Sequence, residues 1–427
     1  MPAQAPVEVT GPRRVALRVG AGLPIAQVMS RPVDTVAAEA RLYSAIALMR
    51  QMGRRHLPVL DAAGRAIGLL RLDAALAAAA PGMLERVRQI HAADRAGATQ
   101  RRRAIAELSA EVMRDGAGVA DVQALIAALN NDRYAATART LLAEHGPPLV
   151  GFALLVMGSG GRGESLLGAD QDNGLILADY PDAAHDRVDG WFRGFAEVLN
   201  QRMSEHGIEL CRGGVMAHHP LWRKSLSQWC HQLDLWLAKR SPAALLNADI
   251  FFDFQCVFGD AGLAAALRDH VTRRLRGNCS FLGALARREE EYDVALGFFG
   301  RLVMRDSASD RCGAVDLKLG GLGRLVDAVR LLALMHGIAE TPTRLAELKV
   351  RGKLAEAEFD DIASALDVLA TVLLQQQRRD IAAGREPGNL VPASNLRSRV
   401  RERLTVALQI VRRFRRRVHA DLTGNLF

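Results

Sequence analysis

The sequence predicts an α+β protein of several domains. With 427 residues, 49% of them hydrophobic, the chain has room for two to four domains with ordinary buried cores. Short apolar runs bounded by Gly and Asp are typical of strands and loops, and longer runs with helical periodicity are typical of helices. These patterns divide the chain into a tail (1–23), a compact α/β unit (24–80), a helical connector (82–145), an α/β domain (146–261) and a helical bundle (262–427).

No stretch of the sequence is suited to a membrane or to export. The Ala-rich run near residue 74 is interrupted by Arg71, Asp73 and Pro81, and the run Leu149–Met157 is too short to span a bilayer. The first residues, MPAQAPVEVTGPRR, are not followed by the apolar stretch of a secretory signal peptide. We therefore expect a cytoplasmic protein without a membrane partner.

The α/β unit over 24–80 has a recognisable order of elements. The strand-like VDTV precedes an amphipathic helix from Ala38 to Met52, and the strands HLPVL and AIGLLRL follow, joined by a turn at Asp61–Gly64. This order, with LPVLDAAGRAIGLL as its most informative piece, resembles one CBS motif. CBS motifs normally work in pairs that bind adenosine nucleotides, and one motif is recognisable here.

The resemblance leaves two roles open for this CBS-like unit. Members of that family place Thr or Ser and then Asp after the second strand, to hold phosphate and ribose, whereas Arg71 and Ala74 stand at those positions here. The unit can therefore bind an adenosine nucleotide, or act as a docking or dimerisation module without a ligand. A homodimer would supply the second motif of the pair.

The domain over 146–261 is expected to combine strands with helices. Strands are predicted at Val150–Met157, Gly174–Ala178 and Ile250–Phe254, and helices at Asp186–His206 and Trp222–Lys239. Tryptophans at positions 222, 229 and 236 recur every seven residues, which predicts one buried helix face. Long helices are predicted further along at 321–335, 356–379 and 394–419.

A glycine-rich turn follows the first strand of this domain. Glycine lets a backbone approach phosphate groups closely and adopt positive φ angles. A helix that begins directly after the turn would direct free N–H groups and its positive dipole end at a triphosphate, and a serine adds a hydroxyl donor. The residues expected to contact a nucleotide here are Gly158, Ser159, Gly160 and Gly161.

Two aspartates follow at the start of the next predicted strand. Asp170 and Asp172 would project from one face of that strand. Neighbouring carboxylates are ligands that Mg²⁺ or Mn²⁺ accepts, with substrate phosphates and waters completing the shell, and such a site would support nucleotidyl transfer. A third carboxylate should bridge a metal ion and take the proton of the acceptor hydroxyl. On a strand DIFFDF that residue would be Asp253, with Asp249 second.

The segment GSGGRGESLLGADQDNGLIL resembles the active-site loop of the DUF294 nucleotidyltransferases, relatives of the PII uridylyltransferase with a DNA polymerase beta type of fold. The stretches CRGGVMAHHPLWRKSLSQW, NADIFFDFQCVFGD and VDLKLGGLGRLVDAVRLLAL support the resemblance, which extends from about residue 120 nearly to the C-terminus. It implies a metal-dependent transferase that uses a nucleoside triphosphate such as ATP or UTP, in bacterial signalling. It also implies a C-terminal helical domain of the substrate-binding type.

The resemblance assigns roles to individual residues. It carries over Gly158, Ser159, Asp170 and Asp172 as nucleotide and metal contacts. Arg162 is expected to contact phosphate, and Glu164 to form an ion pair that fixes the loop. Lys318 is expected to face the active cleft together with Asp316. For these two, a helix cap with a solvated lysine is the alternative.

Two positions depart from the family pattern. Members commonly have Arg directly after the DxF-type motif, where Gln255 and Cys256 stand, and Pro after Cys211, where Arg212 stands. Neither departure removes a proposed metal ligand. Both bear on substrate contacts and on full activity.

The formal net charge of +9 is concentrated near the C-terminus, because residues 397–417 hold nine Arg against one Glu. Leu404, Leu408, Val411 and Val418 predict a helix that packs on the bundle with a basic outer face. The segment lacks interleaved aromatic residues beyond Phe414 and matches no nucleic-acid motif. We therefore do not expect a nucleic-acid partner.

Three functional hypotheses follow. The first is a metal-dependent enzyme that transfers a nucleoside monophosphate to a hydroxyl of a protein or small molecule. The second is a catalytically weak module that senses nucleotides, which the departures from the family pattern favour. The third is an RNA-end nucleotidyltransferase, supported by the basic segment alone.

Overall fold

The computed structural model describes residues 33–40, 42–51, 54, 56–72, 74–75, 97–290, 293–297, 300–304, 313–338 and 344–424. The predicted tail over 1–23 lies outside the described residues. The described chain is a mixture of helices and small sheets. None of its helices combines the length and the apolar character that crossing a lipid bilayer requires.

The first unit forms a three-stranded sheet with one helix. Its elements are β1 (Val36–Ala37), α1 (Leu42–Gln51), β2 (His56–Leu60) and β3 (Ala66–Arg71). The strands lie in the order β1-β2-β3, with β1 parallel and β3 antiparallel to β2. The predicted strands HLPVL and AIGLLRL are confirmed, and the helix is shorter than predicted. In the described part of this sheet β3 is an edge strand, and it exposes Ile67 (60%) and Leu69 (49%).

Two helices form the described part of the connector. They are α2 (Ala98–Arg114) and α3 (Val119–His145). Residues 115–118 separate the two helices, and the N–H of Gly118 donates to the carboxylate of Asp121 in the first turn of α3 (3.1 Å). Helix α3 ends at Gly146, whose φ of 85° disfavours any residue with a side chain. Helix α1 packs against α3, which joins the first unit to the rest of the chain.

A four-stranded sheet lies at the centre of the next region, in the order β8-β6-β4-β9. These strands are β4 (Phe152–Val156), β6 (Asn173–Leu177), β8 (Arg223–Ser225) and β9 (Gln255–Gly259), and β5 (Asp170–Gln171) forms a separate parallel pair with β7 (Glu209–Leu210). The helices are α4 (Gly158–Gly161), α5 (His185–Glu205), α6 (Leu226–Lys239), α7 (Pro242–Phe251) and α8 (Ala261–Leu275). Every residue of β4 and β6 is buried, so both faces of the sheet centre are covered. The burial predicted for the tryptophans is confirmed, since all three are at most 5% exposed and their rings pack on one another. The predicted helix start at Trp222 is wrong, because Trp222 precedes β8 and the helix α6 begins at Leu226.

The predicted strand Ile250–Phe254 is wrong. Ser241 accepts a hydrogen bond from the Ala244 N–H and Pro242 takes the first helical position, which are the signals of a helix start. The helix they begin, α7, continues to Phe251, and the strand β9 starts only at Gln255. The alternating DIFFDF pattern therefore covers the end of a helix and the turn after it: Asp249 lies in α7, and Asp253 lies two residues beyond its last residue, Phe251.

The C-terminal region is helical, as predicted. Its helices are α9 (Cys279–Glu290), α10 (Gly323–Met335), α11 (Arg344–Val350), α12 (Glu356–Ala382) and α13 (Ser398–Thr423), and a short antiparallel pair joins β10 (Ala314–Asp316) to β11 (Leu390–Pro392). A π-helical turn over Lys318–Leu322 leads into α10. The apolar face predicted for the arginine-rich helix is confirmed, since Leu404, Leu408, Val411 and Val418 are buried. The largest hydrophobic core includes Trp229 and Phe251 together with residues of α10 and α13, so the bundle and the sheet share one interior.

Candidate active site

The glycine-rich turn forms a single helical turn, α4, directly after β4. Gly158 has a φ of +57°, and a Cβ there would lie 2.7 Å from Oδ2 of Asp172. A Cβ at Gly161 would lie 2.0 Å from the carbonyl oxygen of Asp253. Both positions therefore require glycine. Gly160 also lies within this turn, where a Cβ would meet Val156 at 2.5 Å.

The expected helix after the turn is absent between residues 162 and 169. The glycines themselves form the four-residue helix, and residues 162–169 continue as a loop to β5. A helix of one turn has too few aligned peptide units to give a substantial dipole. The expectation of a helix N-terminus behind a triphosphate is thus wrong, and what the turn offers is backbone without bulky side chains.

The residues that alternate with the aspartates hold the strand in place. Gln171 donates to the carbonyl oxygens of Asn200 (2.9 Å) and Ile208 (2.8 Å), and accepts from the Asn200 side chain (2.8 Å). Asn173 accepts from the Ala217 N–H at 2.9 Å. Both amides are fully buried. Because neighbouring residues of an extended chain point to opposite faces, this network fixes the direction of residues 170 and 172.

Asp170 and Asp172 meet a third side chain, Cys211. One oxygen of each carboxylate and the Cys211 Sγ lie within 4.8 Å of one another. The pairing of β5 with β7 explains the meeting: Asp170 is opposite Glu209 and Gln171 is opposite Leu210, so the next pair in that register is Asp172 with Cys211. Sequence patterns gave no indication of this contact, because parallel pairing of two distant segments leaves no local signal.

The titration of these groups reflects their crowding. Burial, followed by the negative charge of Asp170, raises the pKa of Asp172 to about 6, although Lys318 and Arg162 lie near enough to oppose the shift. Burial and the charge of Asp172 raise the pKa of the Cys211 thiol to about 12. At neutral pH the site thus holds closely spaced negative charge beside a protonated thiol, an arrangement that a cation would stabilise.

Asp253 is held by arginines. Its carboxylate accepts hydrogen bonds from Arg162 (2.5 Å), Arg330 (2.7 Å) and Arg344, and it is 0% exposed. Burial alone would raise its pKa, but Arg344, Arg330 and Arg162 hold that pKa well below the usual range. Asp249, four residues earlier, also accepts from Arg330 (2.5 Å).

The prediction of Asp253 as the third metal ligand therefore needs correction. Its oxygens already accept hydrogen bonds from three guanidinium groups. Among the described residues, the third side chain that lies close to both Asp170 and Asp172 as a potential ligand is Cys211. The physical reason is the helical ending of α7, which directs the side chains of residues 249 and 253 toward α10 and α11. We call Asp253, Arg162, Arg330 and Arg344 the Asp253 cluster.

Comparison with protein families decides the relationship. The family model described as "Putative nucleotidyltransferase DUF294" matches residues 103–243, and the one described as "Putative nucleotidyltransferase substrate binding domain" matches residues 280–422. The chain belongs to the DUF294 family. A CBS domain model matches residues 25–80, and no curated protein gave a match. The predicted resemblances to DUF294 and to a CBS motif are confirmed, and the first DUF294 range begins within α2, upstream of the domain start predicted at 146.

Two carboxylates of this DUF294 protein fit a divalent metal ion. Carboxylate oxygens are hard donors that Mg²⁺ and Mn²⁺ both accept. Cys211 adds a softer sulfur donor, which Mg²⁺ does not favour and which later transition metals do. The three donors thus suit a divalent cation. The sulfur adds later transition metals to the Mg²⁺ or Mn²⁺ that the sequence predicts.

Arg162 and Glu164 anchor the DUF294 loop. The Arg162 Nε donates to Glu164 at 2.7 Å, which is the expected ion pair. The same guanidinium donates to Asp253, and the carbonyl oxygen of Glu164 accepts from Gln123 of α3 (3.0 Å). The carbonyl oxygen of Ser159 accepts the Glu164 N–H at 2.8 Å. The loop is therefore tied both to the connector and to the Asp253 cluster.

The sequence left two interpretations open for Lys318 and Asp316: residues that face the active cleft, or a helix cap with a solvated lysine. Asp316 accepts the Leu319 N–H at 2.9 Å and so caps the π-helical turn. Lys318 is partly exposed, and its charge acts on Asp172. Asp316 is thus a cap, as in the alternative, and Lys318 lies near the aspartate pair.

Two arginines of the Asp253 cluster, Arg330 and Arg344, were not identified from the sequence. Arg330 interrupts the apolar run LVDAVRLLALM, and a buried charge in such a helix indicates an acidic partner. That signal was available for Arg330. Arg344 follows a turn and has no comparable pattern around it.

Proposed function

We propose that this DUF294 protein transfers a nucleoside monophosphate from a nucleoside triphosphate to a hydroxyl group of a protein or small molecule. The observation that carries the proposal is the convergence of the Asp170 and Asp172 carboxylates beside the Gly158–Gly161 turn. These carboxylates would hold Mg²⁺ or Mn²⁺. The family description supports the transferase class.

The residues of the chain divide into contacting and positioning groups. A bound cation would neutralise phosphate oxygens and favour loss of the proton from the acceptor hydroxyl. Ser159 is the only residue of the Gly158–Gly161 turn with a side chain, so phosphates can approach the backbone. Lys318, beside Asp172, can meet phosphate charge. Arg162 and Glu164 bind each other and the surrounding structure, so we assign them to positioning of the loop.

The resemblance to the PII uridylyltransferase extends this proposal. It suggests ATP or UTP as the donor and a role in bacterial signalling. The CBS-like unit would then bind an adenosine nucleotide or pair with the same unit of a second chain. The exposed Ile67 and Leu69 on the edge strand β3 favour pairing, because exposed apolar edges attract further strands.

Release of pyrophosphate tests the transferase. The full chain is incubated with cell extract, Mg²⁺ or Mn²⁺ and each α-labelled nucleoside triphosphate in turn, and both pyrophosphate and labelled acceptor are measured. We expect Asp172→Ala to abolish both signals, and Asp186→Ala, an exposed acid at the start of α5, to leave them unchanged. Undiminished turnover in Asp172→Ala would refute the assigned site.

A nucleotide-sensing module is the second candidate. The Asp253 cluster favours it, because the carboxylate expected to accept the proton is already bound by three arginines. Gln255 and Cys256, which depart from the family pattern, directly follow that region. Saturable binding of labelled triphosphate without pyrophosphate release, across all four nucleotides and with extract present, would favour the sensor.

A further inference from the structure

A groove between helices α2 and α12 is not used by the proposed function. Its volume is about 520 Å³, and small-molecule sites typically measure about 300–1,000 Å³. The α2 side of the groove belongs to the matched range 103–243, and the α12 side belongs to the matched range 280–422. We call it the arginine groove, after Arg103 of α2 and Arg378 and Arg379 of α12, which line it.

Each helix turns one stripe of residues toward the arginine groove. The lining positions on α2 include 103, 107 and 110, and those on α12 include 375, 378, 379 and 382. Residues three or four apart share a face of a helix. Gln376, Gln377 and Asp380 lie on the other face of α12 and are buried. The helical period therefore directs both arginines of α12 into the groove.

The described lining of the groove contains three arginines and one acid, Glu107. The Glu107 carboxylate lies 4.0 Å from the Arg103 Nε, one turn away on the same helix. Neither Arg378 nor Arg379 forms an ion pair with any residue that the structure describes. Two positive charges of the groove are thus left without a counterion in its described lining.

Asp380 follows Arg379 in the sequence but does not neutralise it. The Asp380 side chain is 0% exposed and accepts hydrogen bonds from the Gln376 side chain (3.0 Å) and the Gly388 N–H (3.2 Å). It also accepts from Arg385 at 3.0 Å. The acid nearest in the sequence is therefore bound on the inner side of α12, away from the groove.

Arg378 carries its charge in an unfavourable environment. It is partly buried, and burial together with the positive charge of Arg114 lowers its pKa. A guanidinium nevertheless remains protonated in proteins. The folded chain therefore holds a partly desolvated cation beside another cation, an arrangement that a bound anion would stabilise.

The rest of the described lining is mostly small or apolar. Ala106 and Ala110 contribute to it from α2, and Ile381 and Ala382 from α12, together with the amide of Gln375. A ligand that suits this lining has an anionic group and a small neutral body. A phosphate matches better than a carboxylate, because it offers about two negative charges on three oxygens to planar guanidinium groups.

We propose that the arginine groove binds a small molecule through a phosphate group held by Arg378 and Arg379, at a site separate from the aspartate pair. On the inner face of the same turn of α12, Gln377 accepts the Gly168 N–H at 3.3 Å, in the loop that leads to Asp170. One helical turn thus borders both the groove and that loop. Binding in the groove does not depend on the proposed transfer activity.

Titration calorimetry of the full chain with phenyl phosphate, inorganic phosphate and benzoate, in the presence of a metal chelator, tests the proposal. We expect saturable binding of one phosphate probe per chain. Arg379→Ala, which alters an exposed residue, and Arg378→Met, which keeps an apolar stem, should each weaken that binding roughly tenfold, the loss expected for one charged hydrogen bond. Tighter binding of phenyl phosphate would identify an organic phosphate as the ligand, and equal affinities would identify phosphate itself; both support the proposal.

Arg403→Ala is the matched control. It removes one positive charge from an exposed position of α13 that does not line the groove. Its affinity for both phosphate probes should equal that of the unaltered chain. An equal loss in Arg403→Ala would show general attraction of anions to the basic surface and would overturn the proposal. Absence of saturable binding of both phosphate probes, or binding of benzoate as tight as that of phenyl phosphate, would also overturn it.

Discussion

Asp172 is a carboxylate whose ionised form is costly in the folded chain. Burial and Asp170 raise its pKa to about 6 from the usual 3.8. An acid whose pKa is raised by folding contributes stability while it is protonated, below the unfolded pKa. That contribution is lost as the pH rises through about 6. Above this pH, the ionised group lowers the free energy of unfolding of the metal-free chain.

Asp172→Asn should therefore stabilise the metal-free protein in a pH-dependent way. In the presence of a chelator, we expect its free energy of unfolding to exceed that of the unaltered chain by roughly 1–3 kcal/mol at about pH 8. The difference should vanish below about pH 4. Urea denaturation at both pH values measures this difference. Asp186→Asn is the control and should leave the free energy of unfolding unchanged at both pH values. A pH-independent difference would contradict the assigned cause.

Cys211 should contribute a sulfur ligand to softer cations. Its thiol is protonated in the metal-free chain, since its pKa is raised to about 12, so a metal ion that binds it must displace a proton. We expect Co²⁺ to produce a near-ultraviolet thiolate charge-transfer band that is lost in Cys211→Ser. Cys279→Ser, which alters an exposed cysteine, should keep the band. A band unchanged in Cys211→Ser would show that the sulfur does not bind.

Individual residues of the site could be predicted unequally from the sequence. Asp170 and Asp172 were found because the alternation of an extended chain is local. Cys211 was not, because its position depends on the parallel register of β5 and β7, which lie far apart in the sequence. Glycines 158 and 161 were chosen for phosphate approach, and the structure adds a second reason for each: the nearby Asp172 side chain and the Asp253 backbone.

At the level of elements, the main error concerned α7. The run DIFFDF alternates as a strand would, but the helix start at Ser241–Pro242 lies upstream of the run and determines its conformation up to Phe251. The alternation within the run itself carries no sign of that start. The long helices α10, α12 and α13 were predicted well because their apolar periodicity extends over several turns. The Asp253 cluster follows from α7 being helical, and so it could not be foreseen from a strand.

Asp253→Asn should destabilise the chain even without a metal ion. Removal of this buried negative charge breaks its ion pairs with Arg330 and Arg344 and leaves excess positive charge in the cluster, at a cost of about 3–5 kcal/mol. We expect a loss of that size in the free energy of unfolding with a chelator present. Asp170→Asn, which alters an exposed carboxylate of the metal-ligand pair, should change it by less than about 1 kcal/mol. Similar small effects of both variants would favour Asp253 as a metal ligand after all.

At the scale of the whole molecule, the regions predicted as separate domains share contacts. Helix α1 of the CBS-like unit packs on α3, and Gln123 of α3 holds the loop at Glu164. The sheet and the C-terminal helices share one hydrophobic core. Composition and periodicity divide a chain into segments, but they do not show which segments bury their apolar faces against each other. The order of regions was therefore predictable, and their interdependence was not.

A homodimer through the CBS-like unit predicts sensitivity at the edge strand β3. Ile67 and Leu69 share an exposed face of that strand, so Ile67→Asp should shift the full chain from dimer to monomer in sedimentation velocity. Exposed positions tolerate such changes without loss of the fold. Val350→Asp, at an isolated exposed residue of α11 (81%), should leave the dimer intact. If the unaltered chain sediments as a monomer, the proposed homodimer is refuted.

The Asp253 cluster has a consequence for how the protein is made. Asp170 and Asp172 emerge from the ribosome long before Arg330 and Arg344. These two arginines bind Asp253, which also binds Arg162. Until Arg330 and Arg344 have been synthesised, the Asp253 cluster is incomplete and its contacts do not yet restrain the loop that leads to the aspartates. A truncated translation product that ends before Arg330 would thus possess the aspartate pair and Asp253 and lack two of the three arginines that bind Asp253.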